Sequence, residues 1–490
     1  MTTEHTTLTA VFHHKVRDFM RGAPLAVNIN TSCGEAVRLL RQRAVSSLVV
    51  TDSGRRICGI VTERDVVRRI TYREGKQTPV RLIMSSPVVT IYQDDYLFRA
   101  IALMRRMRLR HIPVLDAQGS LSGMLDLHEA LGASVENLLA LIDRLTHEES
   151  LKGLKHVKAA QVELAQSLMA EELPVPEIQA LLSHINNDIY RRIVIIAMTE
   201  MADQGWGEPP VAFDVIVMGS GGRNESFLFP DQDNGFVLED YPDTRHAMVD
   251  AWFIELAERM TRALDAIGIP SCKGYVMATN PLWRKNIDQW CQQVNGWFRK
   301  PNPNTLRLAD IFFDFKSVYG DGRFAASLRS YVTDRARKHP AFLREMERVQ
   351  ESHGVALGLF HRLTPDNTEG PHKGKLNLKY HGLLPLVECI RLLSLRDGIM
   401  ATSTLTRIDT LRENGVLNSN EQDYLSGAFH HITHLIMRQQ VEDFQADQTV
   451  GPYVPPSALS DREKDMLVAG LVAIDELSNR VRTEFTGDIF

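Results

Sequence analysis

The chain reads as an α+β protein of several domains, and three observations carry that reading. A unit of about sixty residues occurs twice near the N-terminus; Val215 to Glu239 joins two short apolar runs through a Gly-Ser turn and an acidic pair; and beyond about Arg323 apolar residues recur at three- and four-residue spacing. The expected organisation is a repeated module over 1–135 (copies about 14–72 and 78–135), a helical connector over 136–210, a mixed α/β domain over 211–325 and a helical domain over 326–490. A length of 490 residues exceeds what one ordinary core fills.

Composition bounds the function. At 44% apolar and 24% charged residues the chain is a soluble globular type, and a formal charge of −5 gives no basic footprint for nucleic acid. Cys33, Cys58, Cys272, Cys291 and Cys389 are odd in number and scattered, without a C-x-x-C pair, as expected of reduced thiols in a cytoplasmic protein. The N-terminus MTTEHTTLTAVFHH lacks a basic segment followed by an apolar one, and no run of about 18 apolar residues occurs, so neither secretion nor membrane spanning is expected.

The repeat is visible when Val16-Arg17-Asp18-Phe19-Met20 is laid on Val80-Arg81-Leu82-Ile83-Met84. The same offset carries Ser47-Leu48-Val49-Val50 onto His111-Ile112-Pro113-Val114 and Gly59-Ile60-Val61 onto Gly123-Met124-Leu125. Each copy predicts a lead-in, an amphipathic helix (Ala36, Leu39, Leu40; Ile101, Met104), two strands and a closing helix, with Ser32 and Glu35 as a capping box. The pair resembles a CBS tandem, a regulatory module that commonly binds adenine nucleotides between its copies and pairs into dimers. Gly59 to Asp65 matches the nucleotide motif of that family, which implies Thr62, Arg64 and Asp65 as ligand contacts. In the second copy Asp126 and Glu129 stand at the Thr and Asp positions, and a carboxylate facing phosphate is unfavourable. One competent site at most is expected, with a ligand-free dimerisation platform as the other reading.

From Glu136 to Gln204 Leu138, Leu139, Ile142 and Leu145 set a helical period, broken at Pro174 and Pro176. Then Val215 to Met218 runs into Gly219-Ser220-Gly221-Gly222, and Asp231-Gln232-Asp233 runs into Gly235 to Leu238. Backbone N–H groups of a glycine turn approach phosphate oxygens closely, and carboxylates at i and i+2 of an extended strand point to one side. Such an arrangement holds Mg²⁺ between protein and a nucleoside triphosphate.

These residues resemble the polymerase-beta type nucleotidyltransferases, and GSGGRNE…DQDNG is more closely similar to the nucleotidyltransferase domain found beside CBS domains, a relative of the uridylyltransferase of the PII signal protein. Gln232 and Asn234 depart from the apolar residues usual in the wider superfamily. The resemblance implies a third carboxylate on a later strand, for which Phe313-Asp314-Phe315 is the candidate and Asp310 the alternate. It also implies two-metal transfer of a nucleoside monophosphate to an acceptor hydroxyl. Asp231 and Asp233 would bind Mg²⁺, and Asp314 would hold the second ion and take the acceptor's proton. Gly219, Ser220 and Gly221 would grip phosphate, and Arg223 would fork to a phosphate oxygen or pair with Glu225. Lys273, Arg284 and Lys316 are further candidates to neutralise the triphosphate, and a PII-like protein is the implied acceptor.

The helical end carries an apolar stripe (Leu383, Leu384, Val387, Ile390, Leu393) and capping signals at Ser419 with Gln422 and Ser460 with Glu463. It opens with Pro371 to Lys379, whose lysines either close over the nucleotide or form a solvated loop, and it resembles the C-terminal helical domain of the same family. His430, His431 and His434 lack acidic partners at ligand spacing and read as a helix surface. The chain lacks the His-Asp dipeptide of the PII enzyme's hydrolase domain. A non-catalytic, nucleotide-sensing regulator is the second function considered, and transfer to a small molecule the third.

Overall fold

A computed structural model describes residues 15–487 apart from 23, 44, 54, 55, 63, 64, 66–76, 108, 128–149, 171, 351–353 and 368. Arg64, Glu63, Glu129 and the first part of the expected connector lie outside the described residues. The chain forms two compact units, 1–148 and 149–490.

In the first unit each copy is a three-stranded sheet with one helix before its central strand. Copy one contains β1 (Ala26–Asn28), α1 (Cys33–Arg43), β2 (Ser47–Thr51) and β3 (Ile57–Thr62); copy two contains β4 (Ile91–Tyr92), α2 (Leu97–Arg106), β5 (His111–Leu115) and β6 (Leu121–Asp126). The registers repeat as the sequences do: Leu48 faces Val61 as Ile112 faces Leu125, and the first strand runs parallel to the second in both copies. The lead-ins are exchanged. Arg21, ahead of copy one, bridges Met124 of copy two, and Ser85, between the copies, bridges Ile60 of copy one. Gly59 and Gly123 make the crossing possible, since a β-carbon there would stand 2.3 Å from Met84 Sδ and 2.7 Å from Met20 Sδ.

The second unit is built on a four-stranded sheet in the order β10 (Lys316–Tyr319), β7 (Phe213–Val217), β8 (Asn234–Leu238), β9 (Arg284–Asn286). α3 (Leu151–Ala170) and α4 (Val175–Asp203) precede β7 (Phe213–Val217), α5 (Gly219–Arg223) and β8 (Asn234–Leu238); α6 (His246–Ala266), β9 (Arg284–Asn286), α7 (Ile287–Arg299), α8 (Pro303–Phe312) and β10 (Lys316–Tyr319) follow. β7 and β8 are antiparallel with Val217 opposite Asn234, so the glycine turn leaving β7 and the acidic pair entering β8 lie at one end of the sheet.

Three expectations are corrected. Residues 151–203 are not a connector: they belong to the same compact unit as the sheet, because the polar residues of α3 and α4 bond to its loops. Lys158 Nζ donates to the Leu228 carbonyl (2.7 Å), Gln179 to the Glu225 carbonyl (3.1 Å), and Ser183 Oγ accepts from Ser226 N (3.0 Å). The string IFFDF is not a strand. α8 runs to Phe312 and β10 begins at Lys316, which leaves Asp314 in the buried turn between them and Asp310 on the helix. Last, the cap of the long C-terminal helix is Asn418, one residue before the expected Ser419: its side chain accepts from Glu421 N (3.0 Å) and its own N–H donates to Glu421 (2.7 Å).

The chain ends in helices α9 (Arg323–Arg337), α10 (Pro340–Gln350), α11 (Leu384–Asp397), α12 (Thr404–Glu413), α13 (Ser419–Gln445) and α14 (Asp461–Thr486), with a small β11–β12 pair (Leu376–Asn377, Tyr453–Val454). Of the expected stripe Leu383, Val387, Ile390 and Leu393 are buried and Leu384 is half-buried, and Ser460 caps α14 in a box with Glu463. Among the described residues no helix is long and apolar enough to cross a membrane.

Candidate functional site

The site forms where β7 and β8 end. Met218 N donates to the Asp233 carbonyl (2.9 Å), which ties the entry of the glycine turn to the acidic strand. Asp231, Asp233 and Cys272 each offer a ligand atom within 4.8 Å of the others, the one such group of His, Cys, Asp and Glu side chains among the described residues. Ser220, Gly221, Asp231 and Asp233 line a common cleft with Asn186, Asn187 and Tyr190 of α4. The alternate residues face inward. Gln232 is buried and its amide donates to the carbonyls of Ile269 (2.8 Å) and Thr261 (3.1 Å), and Asn234 Oδ1 accepts from Ala278 N (3.0 Å). Gln232 and Asn234 therefore brace the loop that packs beside the acids, a task an apolar side chain cannot perform.

Burial and the neighbouring Asp231 charge push Asp233 up to about 7, against the Cys272 hydrogen bond and the charges of Lys379 and Arg223. Asp233 Oδ1 is a buried oxygen with no hydrogen-bond partner. A divalent cation answers both features, because it supplies the missing partner and the positive charge that ionises the pair. The two carboxylates fit a hard divalent ion, which takes oxygen donors, and the Cys272 thiol stands beside them as a hydrogen-bond donor outside the ligand set. Burial pushes the Cys272 thiol up to about 12, with Asp233 adding to the effect, so it stands as a protonated donor to Asp233 in the absence of metal.

Asp314 is not brought into this cluster. It is 0% exposed and accepts from Arg223 (2.9 Å) and Arg391 (2.6 Å), with Arg407 at 2.7 Å. Burial by itself would raise its carboxyl, but Arg407, Arg391 and Arg223 outweigh burial and hold it well below the usual carboxylate range. Asp310 also pairs with Arg391. Arg223 divides its guanidinium between Glu225 (2.6 Å) and Asp314, so of its two expected roles the pairing is the one present. Arg391 lies on α11 and Arg407 on α12. Together with Thr404 N, which donates to Glu225 (2.6 Å), and Thr402 Oγ1, which donates to the Gly222 carbonyl (2.8 Å), they fasten the C-terminal helices to the glycine turn.

Of the remaining candidates, Lys273 is exposed in the turn beside the acids, Arg284 is buried against Asp250 (2.8 Å) and Lys316 donates to Asn224 (3.2 Å). Among the described residues the histidines of α13 form no metal-ligand cluster: His431 reaches the Glu463 carbonyl (3.0 Å), and burial lowers the pKa of His430 and His434 although Glu177 and Glu463 lie near enough to oppose it. Sequence reasoning missed Tyr190, whose buried hydroxyl lies against the Asn234 amide and is held protonated by burial, and it missed Cys272 as a neighbour of the acids. The available signal was a polar set (Lys158, Gln161, Gln179, Asn186, Asn187) at core positions of two helices.

In the first unit Thr62 Oγ1 donates to Asp65 Oδ2 (2.7 Å), and Ser85 Oγ to Asp65 Oδ1 (3.4 Å), so the expected contacts Thr62 and Asp65 adjoin each other. Asp126, at the Thr62 position of copy two, is taken by Arg110 (3.2 Å) and His111 (3.1 Å).

Comparison with known proteins matches residues 16–72 and 80–136 to the "CBS domain", 159–304 to "Putative nucleotidyltransferase DUF294", and 340–485 to "Putative nucleotidyltransferase substrate binding domain". Among curated relatives, the mitochondrial CBS domain-containing protein CBSX3 of Arabidopsis thaliana is 32% identical over 148 residues, 29% of this chain and 71% of its own. An uncharacterized 17.7 kDa protein of Acidianus ambivalens is 30% identical over 110 residues, 22% of this chain and 66% of its own. The chain spans only 22% of a further relative, CBSCBSPB5 of Arabidopsis thaliana, at 28% identity over 122 residues (24% of this chain). Among solved structures, the CBS domain protein PAE2072 from Pyrobaculum aerophilum complexed with AMP is 26% identical, covering 26% of this chain and 97% of its own, with a TM-score of 0.24.

Proposed function

The chain belongs to the family that joins a CBS tandem to the DUF294 nucleotidyltransferase domain and its C-terminal substrate-binding domain, and from that premise we propose that it transfers a nucleoside monophosphate from a triphosphate to an acceptor hydroxyl. The observation that carries the reading is the convergence of Asp231, Asp233 and the Gly219-Ser220 turn on one cleft, with a buried Asp233 oxygen awaiting a partner. Asp231 and Asp233 would hold Mg²⁺, which neutralises triphosphate charge and favours pyrophosphate as a leaving group.

The chain's own residues do the rest. Gly219, Ser220 and Gly221 present N–H groups that a first helical turn leaves unpaired, and these orient the phosphates. Lys379 of the C-terminal domain lies near enough to Asp233 to affect its ionisation, and with Lys273 it would neutralise triphosphate charge. Tyr190 and Asn234 keep the acid pair in register. Asp314 is assigned an anchoring role in place of a metal-binding or proton-accepting one, since its oxygens are engaged by arginines. The acceptor oxygen forms a bond to the α-phosphorus as the bond to the pyrophosphate oxygen breaks, and the hydroxyl proton passes to solvent. The resemblance supports a uridylyl group and a PII-like acceptor as the finer reading, with Thr62 and Asp65 contacting an adenine nucleotide in the CBS module.

The capture of Asp314 by three guanidinium groups favours one alternative, a non-catalytic sensor in which the same cleft binds nucleotide. Pyrophosphate release from each of the four triphosphates with Mg²⁺, alone and in cell extract, separates the two. Release lost in Asp231→Asn/Asp233→Asn establishes transfer; nucleotide binding without turnover in any extract establishes the sensor.

A further inference from the structure

We infer that the ring of Tyr275 is the platform on which the nucleobase stacks, an assignment that rests on the function proposed above. Segment 270–276 runs beside the acidic strand: Gln232 N donates to the Pro270 carbonyl (2.9 Å), Asn234 N to the Val276 carbonyl (3.0 Å), and Gln232 bridges Ser271. Between these rungs the chain bulges as a turn from Cys272 to Tyr275, closed by Tyr275 N donating to the Cys272 carbonyl (3.0 Å). The thiol of Cys272 bonds the Asp233 carboxylate, so the turn begins at the acid pair itself.

Tyr275 ends that turn, 70% exposed, while Val276, Met277 and Ala278 beyond it are buried. Its φ is +55°, a left-handed conformation that glycine or asparagine takes without difficulty and a bulky side chain takes at a cost. Asn280 Nδ2 fixes the strained peptide by donating to the Tyr275 carbonyl (3.1 Å). Among the described residues none stacks on the ring, so nothing within the fold offsets the strain. A ligand does. Three residues of chain reach at most about 10 Å, a span that a ribose and its α-phosphate bridge when the β- and γ-phosphates lie at Asp231, Asp233 and Ser220. An aromatic face beside a phosphate site receives any base, since every base has a π-face. Tyr275 therefore adds affinity for nucleosides in general and leaves the choice among them to other residues.

The test titrates full-length protein with α,β-methylene ATP, α,β-methylene UTP and inorganic tripolyphosphate in Mg²⁺, comparing wild type with Tyr275→Phe, Tyr275→Gly and Asp231→Asn/Asp233→Asn. Tyr275→Gly is expected to weaken both nucleotides roughly tenfold, to leave tripolyphosphate unchanged and to raise or keep the melting temperature, which excludes unfolding as the cause. Tyr275→Phe keeps wild-type affinity. Nucleotide binding that needs the two acids but is indifferent to Tyr275→Gly overturns this assignment and leaves the proposed function standing. Failure of wild type to bind nucleotide or tripolyphosphate overturns both.

Discussion

Gly219 and Asp233 stand so close that a β-carbon on Gly219 would lie 3.2 Å from Asp233 Oδ2. Gly219 also has a φ of +58°. The glycine that starts the phosphate turn is thus fixed by the carboxylate opposite as well as by its own backbone. Gly219→Ala is expected to cost about 1 kcal/mol of stability from the left-handed backbone and to reduce Mn²⁺ affinity, since the methyl crowds the Asp233 carboxylate. Thermal melts with Mn²⁺ titration check both; an unchanged Mn²⁺ affinity would show that crowding the Asp233 carboxylate from the Gly219 side leaves ion binding untouched.

The raised Asp233 carboxyl makes the site a stability liability without metal. Its folded value of about 7 exceeds the unfolded value of 3.8, so the folded state holds a proton that the unfolded state releases. Stability from this group is complete below the unfolded value and lost as pH rises through about 7. Asp233→Asn mimics the protonated form. Urea denaturation in chelator should find it more stable than wild type by about 4 kcal/mol at pH 8 and equal to it at pH 3.5, with a saturating divalent ion closing the gap at pH 8. A gap independent of pH would remove the assignment.

Asp314 and Asp233 should separate cleanly in the laboratory. Arg407→Met takes one partner from a carboxylate buried among guanidinium groups, a loss of about 3 kcal/mol, and it should loosen the C-terminal helices in hydrogen exchange. Asp314→Asn should lower stability at neutral pH, where the depressed carboxyl is ionised, and leave Mn²⁺ affinity intact. An Asp314→Asn protein of wild-type stability that no longer binds a second Mn²⁺ would return Asp314 to the metal site.

Lys158 provides a pH signature of opposite sense. Burial lowers its ammonium to about 7 from 10.5, so the unfolded chain binds more protons between those values and stability rises with pH across that window. Lys158→Met removes the slope while leaving Gln161, Asn186 and the Leu228 carbonyl short of a donor. Parallel stability–pH curves from pH 7 to 10 for wild type and Lys158→Met would exclude a buried, neutralised lysine.

What the sequence revealed was what is local. The Gly219-Ser220 turn, the Asp231-Asp233 spacing and the repeat at Val16 and Val80 are each settled within a few residues, and the structure keeps their relations. The arginine cage was illegible because Arg391 and Arg407 are distant in the chain from Asp314, and neither sits in a pattern that marks a buried cation. Phe313-Asp314-Phe315 read as a strand because a buried turn needs the same apolar flanks that a strand does. Helices α3 and α4 read as a connector because Lys158 and Gln161 resemble a solvated face until Leu228 and Asn186 appear opposite them.

The exchanged lead-ins of the first unit bear on how the repeat is inherited. The segment that closes the sheet of copy one follows that copy in the chain, while the segment that closes copy two precedes copy one. Neither copy is therefore a transplantable module: cut at their junction, one half loses its lid and the other keeps a lid with nothing to cover. Shuffling that preserves this fold has to move the two copies as a single cassette.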